Sequence, residues 1–271
     1  MLTLYHYDRS TAAQRVRLIL EEKNIKWQSI IVDTARGDVD QLPKDYHKLN
    51  PKGLVPVIIN EGSAIPESLI ILEYLEDKFP APSFRPQNPE LIAKIRLWMN
   101  KINDGIHVAS RTIGVCIVNR HIYNEEKKSK ISEYYAKMKD RVRKNNDQIN
   151  IEFGLKSPLL PDAVQAFRNL FEEMNFYLKN SLWLVGDSYS LADIALVVYL
   201  RRMESFMMAP LWKNLKHLNR WYKLISSRPA YVKAVTKWGD ITEEKRKIYG
   251  CLLYTSPSPR DRTRSRMPSS A

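Results

Sequence analysis

Cysteine is scarce in this chain. Its 271 residues hold two, Cys116 and Cys251, far from any Cys-x-x-Cys spacing. Two such cysteines make no disulfide framework, and the expected compartment is the reducing cytosol. Long apolar runs are missing as well. None approaches the ~20 residues a membrane helix needs, so no membrane partner is expected. Met1-Leu2-Thr3-Leu4-Tyr5 has no basic leader or cleavage site and reads as a strand, not a secretory signal. Acids are in deficit, with 30 Asp+Glu against 43 Lys+Arg and a formal net charge of +13. Part of that excess sits in residues 251–271, which are rich in Ser, Pro and Arg and lack periodicity, the composition of a disordered segment. Cys251 to Ser256 also reads as the translation of a common sequencing-library adapter, so 251–271 is expected to be a non-native tail. The other reading is a genuine basic tail for nucleic acid or membrane. Elsewhere lysines are scattered among acids and no nucleic-acid-reading motif occurs. That charge reads as a solvated surface, with no nucleic-acid partner.

What the chain does contain is concentrated in residues 49–80. Asn50-Pro51-Lys52-Gly53 is a turn signal before the apolar run Val55-Pro56-Val57-Ile58-Ile59. A second turn, Asn60-Glu61-Gly62-Ser63, precedes Ala64-Ile65, which predicts a β-hairpin. A helix follows from about Ser68, with Ile70, Ile71, Tyr74 and Leu75 on one apolar side, and it stops at Phe79-Pro80. Pro56 has no N–H for a ladder and suits a strand start; X-Pro bonds are mostly trans.

This segment, Asn50-Pro51-x-Gly53-x-Val55-Pro56-Val57 and then Ile65-x-Glu67-Ser68-x-x-Ile71-x-Glu73-Tyr74-Leu75-Glu76-Asp77-x-Phe79-Pro80, resembles the glutathione-binding domain of cytosolic glutathione transferases. The resemblance implies a cis Val55-Pro56 bond. It extends in order over residues 1 to about 240.

Residues 1–80 run β-α-β-(α)-β-β-α, which fits a thioredoxin-like α/β domain whose first two strands lie parallel. Its first helix has Val16, Ile19 and Leu20 on an apolar face, with Arg15, Arg17, Glu21, Glu22 and Lys23 opposite. Residues 33–48 read as a loop with one helical turn. Three prolines make 81–89 a linker. Residues 90–240 form an all-α domain. Leu91, Ile95, Trp98, Ile102, Ile106, Ala109 and Ile113 predict one long helix, and a charged insertion lies near 120–160. Ala163, Phe167, Leu170, Met174 and Tyr177 mark another helix. Ser190-Leu191-Ala192-Asp193 is a capping box, with Asp where Glu or Gln is usual. Two further helices are expected over Asn214–Ser227 and Pro229–Trp238.

The loop after the first strand carries the chemistry. Redox domains of this fold place Cys-x-x-Cys there, whereas Ser10-Thr11-Ala12-Ala13 has no sulfur and cannot cycle a disulfide. A hydroxyl at a helix N-terminus can donate to a thiolate, and the helix dipole assists. Read without the resemblance, Ser10 is a helix cap. Ser10 before Arg15-Val16-Arg17 resembles the serine-type transferases, which implies that Ser10 activates the glutathione thiol. Thr11 is the second candidate and Tyr7 the third. The resemblance further implies that Val55 and Pro56 hold the cysteinyl backbone, and that Glu67 and Ser68 hold the γ-glutamyl ammonium and carboxylate. Lys44, His47 and Lys52 are candidates for the glycyl carboxylate.

The electrophile is expected between the domains, near Tyr7 and the face bearing Asn103, His107 and Arg111. A lone helix histidine is more often structural than catalytic. The region around 96–120 is similar to bacterial β-aryl-etherase-type members, which points to ether cleavage; the isomerase branch has Ser-Ser-Cys where this chain has Ala12. The implied function is glutathione transfer to a small hydrophobic electrophile by a homodimer. The other class is a non-catalytic scaffold of the same fold.

Overall fold

The structure, a computed structural model, describes residues 1–32, 46–119, 132, 135, 136, 138 and 140–238. The tail at 251–271, Lys44, most of the 33–48 loop and the first part of the 120–160 stretch lie outside those residues.

Four strands form one sheet: β1 (Leu2–His6), β2 (Trp27–Ile31), β3 (Val57–Asn60) and β4 (Ser63–Pro66). Their order is β2-β1-β3-β4. Helix α1 (Thr11–Glu22) carries the chain from β1 to β2, which pair in parallel. That is the outcome of a helical crossover between neighbouring strands. The short α2 (Tyr46–Leu49) precedes the β3–β4 hairpin, and α3 (Ser68–Lys78) follows it. The predicted thioredoxin-like order is therefore present. The hairpin boundaries differ by a residue or two, because Val55 and Pro56 stand before the ladder. Val55-Pro56 is cis, as is Ala81-Pro82.

The helical part contains α4 (Pro89–Lys101), α5 (His107–Gly114), α6 (Arg141–Phe153), α7 (Leu160–Tyr177), α8 (Leu191–Ser205), α9 (Lys216–Ser226) and α10 (Pro229–Tyr231). Nearly every residue of α8 is buried, so it forms the centre of this part. The capping box at its start is formed: Asp193 accepts from the Ser190 backbone and hydroxyl at 2.9 and 2.8 Å. The same carboxylate takes the Leu184 N–H at 3.0 Å and the Trp221 indole N–H at 2.7 Å.

Three expectations are corrected. The long helix over 91–113 is interrupted by a π-helical turn, Ile102–Ile106, in which Gly105 has φ 137°. Only glycine adopts that backbone at little cost, so the apolar period continues through a bend. In α3, Ile70 is exposed and Leu72 is buried beside Ile71 and Leu75. Adjacent helical residues point about 100° apart, so Ile70 and Ile71 do not share a narrow stripe. Finally, the basic side of α1 is not solvated. Arg15, Arg17 and Lys23 are buried. Helix α1 is sandwiched between α3 on one side and α8 with the turn after α10 on the other, so its polar face is the domain junction.

Each buried cation there has oxygen partners. The Lys23 ammonium donates to the Phe79 and Pro82 carbonyls, both at 2.7 Å, and pairs with buried Glu76 at 2.8 Å. Arg17 donates to the Ala234 and Asp8 carbonyls, each at 2.8 Å, so one guanidinium ties both domains. Arg228 grips Glu22 through two bonds of 2.6 and 2.8 Å.

Candidate active site

Strand register brings the predicted site together. Tyr5 pairs with Val57, and Val57 pairs with Pro66. The residues just past β1, just before β3 and just past β4 therefore lie at one end of the sheet. These are the loop 7–10, the Val55-Pro56 bend and Glu67-Ser68. Pairing of this kind fixes positions to within a residue, since neighbouring strands lie ~4.8 Å apart.

Ser10 is the N-cap of α1, and its Oγ accepts the Ala13 N–H at 3.2 Å. The hydroxyl hydrogen is not used by that bond and remains available to an acceptor. The capping reading of Ser10 thus holds, and it is compatible with the other. Thr11 is the first residue of α1 and is buried. Tyr7 is half-buried, and its hydroxyl accepts from Arg9 at 3.0 Å.

Across the sheet end, the Leu54 carbonyl is held by the Tyr46 hydroxyl and the Asn50 amide, each at 2.7 Å. Those two bonds set the approach to Val55, whose own backbone makes no hydrogen bond among the described residues. Pro56 is buried and Ser68 half-buried at the first turn of α3. Glu67 occupies the N-cap position of α3 with φ 69°, and its side chain makes no capping bond. Glu67 thus stands at the cap position without capping the helix through its side chain. A non-glycine residue held at positive φ costs on the order of 1–3 kcal/mol and is typical of ligand-binding turns. Its carboxylate is instead 2.7 Å from the Lys52 ammonium, an exposed pair that raises the Lys52 pKa through that hydrogen bond. Lys52 and Glu67 were candidates for opposite ends of a tripeptide; here they bind each other. His47 is exposed, with its ring against Gly53.

The two histidines near the site are neutral. His6 is buried beneath the loop, and burial, reinforced by Arg17, lowers its pKa to about 3. Arginine only donates, so His6 Nδ1 accepts from Arg17 at 3.0 Å. Nε2 therefore carries the hydrogen toward Ser29 Oγ at 2.8 Å. His6 is committed to those two partners and is not a base for Ser10. Burial also brings Arg17 down to about 9, opposed by the nearby Asp8 charge.

His107 stands on α5 facing α8. Its Nδ1 is 3.1 Å from the Tyr199 hydroxyl, which itself accepts from buried Arg15 at 2.7 Å. The chain of donors runs from Arg15 to Tyr199 to His107 Nδ1, which leaves the Nε2 hydrogen pointing elsewhere. Loss of hydration on its packed side, together with Arg15, Arg111, Arg143 and Arg202, lowers the His107 pKa to about 4. Arg111, one turn along, forms a close ion pair with buried Asp147. Asn103 falls in the π-helical turn and is exposed.

Sequence reasoning missed Arg9, Gln14, Tyr199 and Arg202. Arg202 on α8 reaches the Arg9 carbonyl at 3.5 Å and lies 4.6 Å over the Phe206 ring. The available signal was a doubled arginine, Arg201-Arg202, on an otherwise apolar helix.

Among the described residues no helix is long and apolar enough to cross a membrane, and no cluster of side chains fits a metal ion.

Comparison with known proteins places relatives along most of the chain. Residues 4–83 match the family model described as Glutathione S-transferase, N-terminal domain, and residues 115–229 match its C-terminal domain. A maleylacetoacetate isomerase of Rattus norvegicus is 36% identical over 221 residues, 80% of this chain and 85% of the relative. Glutathione S-transferase TCHQD of Arabidopsis thaliana is 26% identical over 252 residues, 88% of this chain and 90% of its own length. In solved structures, the β-etherase LigF of Sphingobium sp. strain SYK-6 superposes with a TM-score of 0.76 at 23% identity, covering 86% of this chain and 98% of that one. That last likeness concerns the fold. With both domains matched in order, and a relative of this identity spanned over most of its length, the chain belongs to the glutathione S-transferase family.

Proposed function

We propose that this protein is a glutathione transferase that binds glutathione at the sheet end and activates its thiol at Ser10. The carrying observation is the state of Ser10: its oxygen caps α1 while its hydroxyl donates to no acceptor among the described residues, at the positive end of a 12-residue helix. A thiolate there gains a hydrogen bond and the helix dipole, both of which lower its pKa. The thiol proton leaves to solvent. The sulfur lone pair then forms the C–S bond at the electrophile, and the leaving group departs with its bonding pair.

Val55 is suited to pair with the cysteinyl backbone as a short strand addition, with Pro56 shaping the bend. Ser68, at the start of α3, suits the γ-glutamyl carboxylate. Glu67 suits the ammonium, which on binding shares or displaces Lys52. Thr11 supports the start of α1. The electrophile fits between this end and the α5–α8 face, with aryl ether cleavage as one reaction class. A cytoplasmic homodimer is the accompanying assembly.

Retention on immobilised glutathione followed by turnover of a chromogenic aryl halide tests the reading. Both are expected. Retention without turnover of any activated halide would favour a binding module instead, and loss of both would remove the proposal.

A further inference from the structure

One buried arginine of this molecule serves a phenol rather than a carboxylate. Arg15 is 1% exposed, and no acid pairs with it among the described residues. Its guanidinium donates to the Tyr199 hydroxyl at 2.7 Å and lies 5.2 Å from the ring centroid. A buried cation without a counter-charge is destabilising, so stability alone does not explain the contact. Tyr199 is itself fully buried on α8, with the Phe167 ring 6.1 Å away.

A phenol has one hydrogen. While its oxygen accepts from Arg15, that hydrogen needs an acceptor, and His107 Nδ1 at 3.1 Å is the one within reach among the described residues. Leaving it unpaired in the interior would be penalised. The imidazole is therefore the tautomer with its hydrogen on Nε2. That nitrogen bonds nothing among the described residues, and His107 is exposed. The ring thus presents a fixed N–H donor directed away from α8. Burial of its inner side and the arginines around it keep it uncharged at neutral pH, so it offers a hydrogen bond and not a transferable proton.

Helix α1 ties this donor to the thiolate site. The helix begins at the Ser10 cap, and Arg15 lies ~7.5 Å further along its axis. One rigid helix thus carries both Ser10 and, through Arg15 and Tyr199, the restraint on the His107 ring.

We propose that His107 donates its Nε2 hydrogen to the oxygen through which the electrophile's leaving group departs, and that Tyr199, held by Arg15, is the positioning residue that fixes this donor. The inference rests on the transferase reading and narrows its preferred second substrate to compounds that expel an oxyanion. The thiolate sulfur forms the C–S bond. The C–O bond breaks with its pair on oxygen, and that oxygen takes the His107 hydrogen bond and afterwards a proton from water. A departing chloride, a diffuse and weak acceptor, gains less from the same donor.

The test compares the glutathione-saturated protein on 2-(4-nitrophenoxy)acetophenone and 2-chloroacetophenone, which share the reacting carbon and differ in what leaves. His107→Leu should lower the ether-to-chloride ratio of kcat by about ten- to a hundredfold, at or below the loss for one oxyanion donor. His107→Gln keeps an N–H donor and should recover part of that ratio. Imidazole nitrogen NMR at neutral pH reads Tyr199 separately. The native protein should show His107 as the Nε2–H tautomer. Tyr199→Phe should convert it to a tautomer mixture and lower kcat for the ether with KM little changed, whereas a tyrosine that only packs would leave the tautomer as it was. An unchanged ratio in His107→Leu, or His107 protonated on Nδ1 in the native protein, overturns the proposal. If Tyr199→Phe melts early, the native tautomer and the two substitutions of His107 decide. Absence of turnover of both compounds by the native protein removes the transferase reading and this inference with it; turnover of both with an unchanged ratio removes the inference alone.

Discussion

In the proposed reaction Ser10 uses a single oxygen twice, as the acceptor that caps α1 and as the donor to a sulfur anion. Removing it should therefore show in two measurements of different size. Ser10→Ala is expected to lower kcat by about ten- to a thousandfold, the effect of one lost anion-stabilising donor. It should also lower stability by about 1 kcal/mol, the usual worth of an N-cap. The pH–rate profile should move upward as the bound thiol regains its ordinary pKa. Thr11→Ala and Tyr7→Phe are the controls; full activity in Ser10→Ala with loss in either control would falsify the assignment. Glu67 is the complementary residue. Glu67→Gln should weaken glutathione binding by about tenfold with little change in kcat, because in the proposed complex it meets the peptide away from sulfur. An unchanged dissociation constant would leave Glu67 as nothing more than the partner of Lys52.

At the scale of elements, the readable parts were those whose chemistry is local. The turn residues around Gly53 and Gly62 delimit the hairpin, and Ser190 with Asp193 announces α8. What pattern could not show is how far Asp193 reaches, since Leu184 and Trp221 arrive from distant segments. Asp193→Ala leaves several buried donors without an acceptor, each worth about 1–3 kcal/mol. A loss of about 3 kcal/mol or more is expected in urea unfolding, and a loss below about 1 kcal/mol would mean that water replaces the carboxylate. The π-helical turn was hidden for another reason. Apolar spacing of three to four residues is satisfied equally by a straight helix and by one carrying an extra residue. Gly105 was the visible hint. Its absent side chain would meet open space, so the cost of a substitution there is conformational rather than steric.

For the whole molecule, the decisive fact is that the basic face of α1 is interior. A sequence gives charge but not its partner, and carbonyl oxygens of residues 79, 82 and 234 carry no sequence signature. Charge read from composition as a solvated surface is instead, at Arg15, Arg17 and Lys23, the seam between domains. One consequence is acid sensitivity. His6 titrates at about 3 in the folded protein and near 6.5 when unfolded. Between those values the unfolded chain binds the extra proton, so stability rises with pH. The stabilisation is complete above about pH 6.5 and is lost as pH falls toward 3, reaching about 3 kcal/mol near pH 4. Urea midpoints measured from pH 7 to pH 4 should show this decline, and His6→Gln should flatten it. A wild-type profile as flat as the variant's would mean that His6 is not withheld from protons.

The seam also contains an optical device. Trp238, from the far end of the described chain, stacks on Trp27 of β2 at 6.2 Å with the rings 30° apart. The His6 ring meets its edge and the Arg17 guanidinium lies 4.5 Å over its face. Two indoles held this close and slightly rotated couple as excitons, so the docked seam should carry a circular-dichroism couplet that neither ring shows alone. Trp238→Phe should erase the couplet while leaving the helical signal intact. Its amplitude in the native protein would then report, without any label, whether the helical part remains seated on the sheet as temperature, acid or ligand is varied.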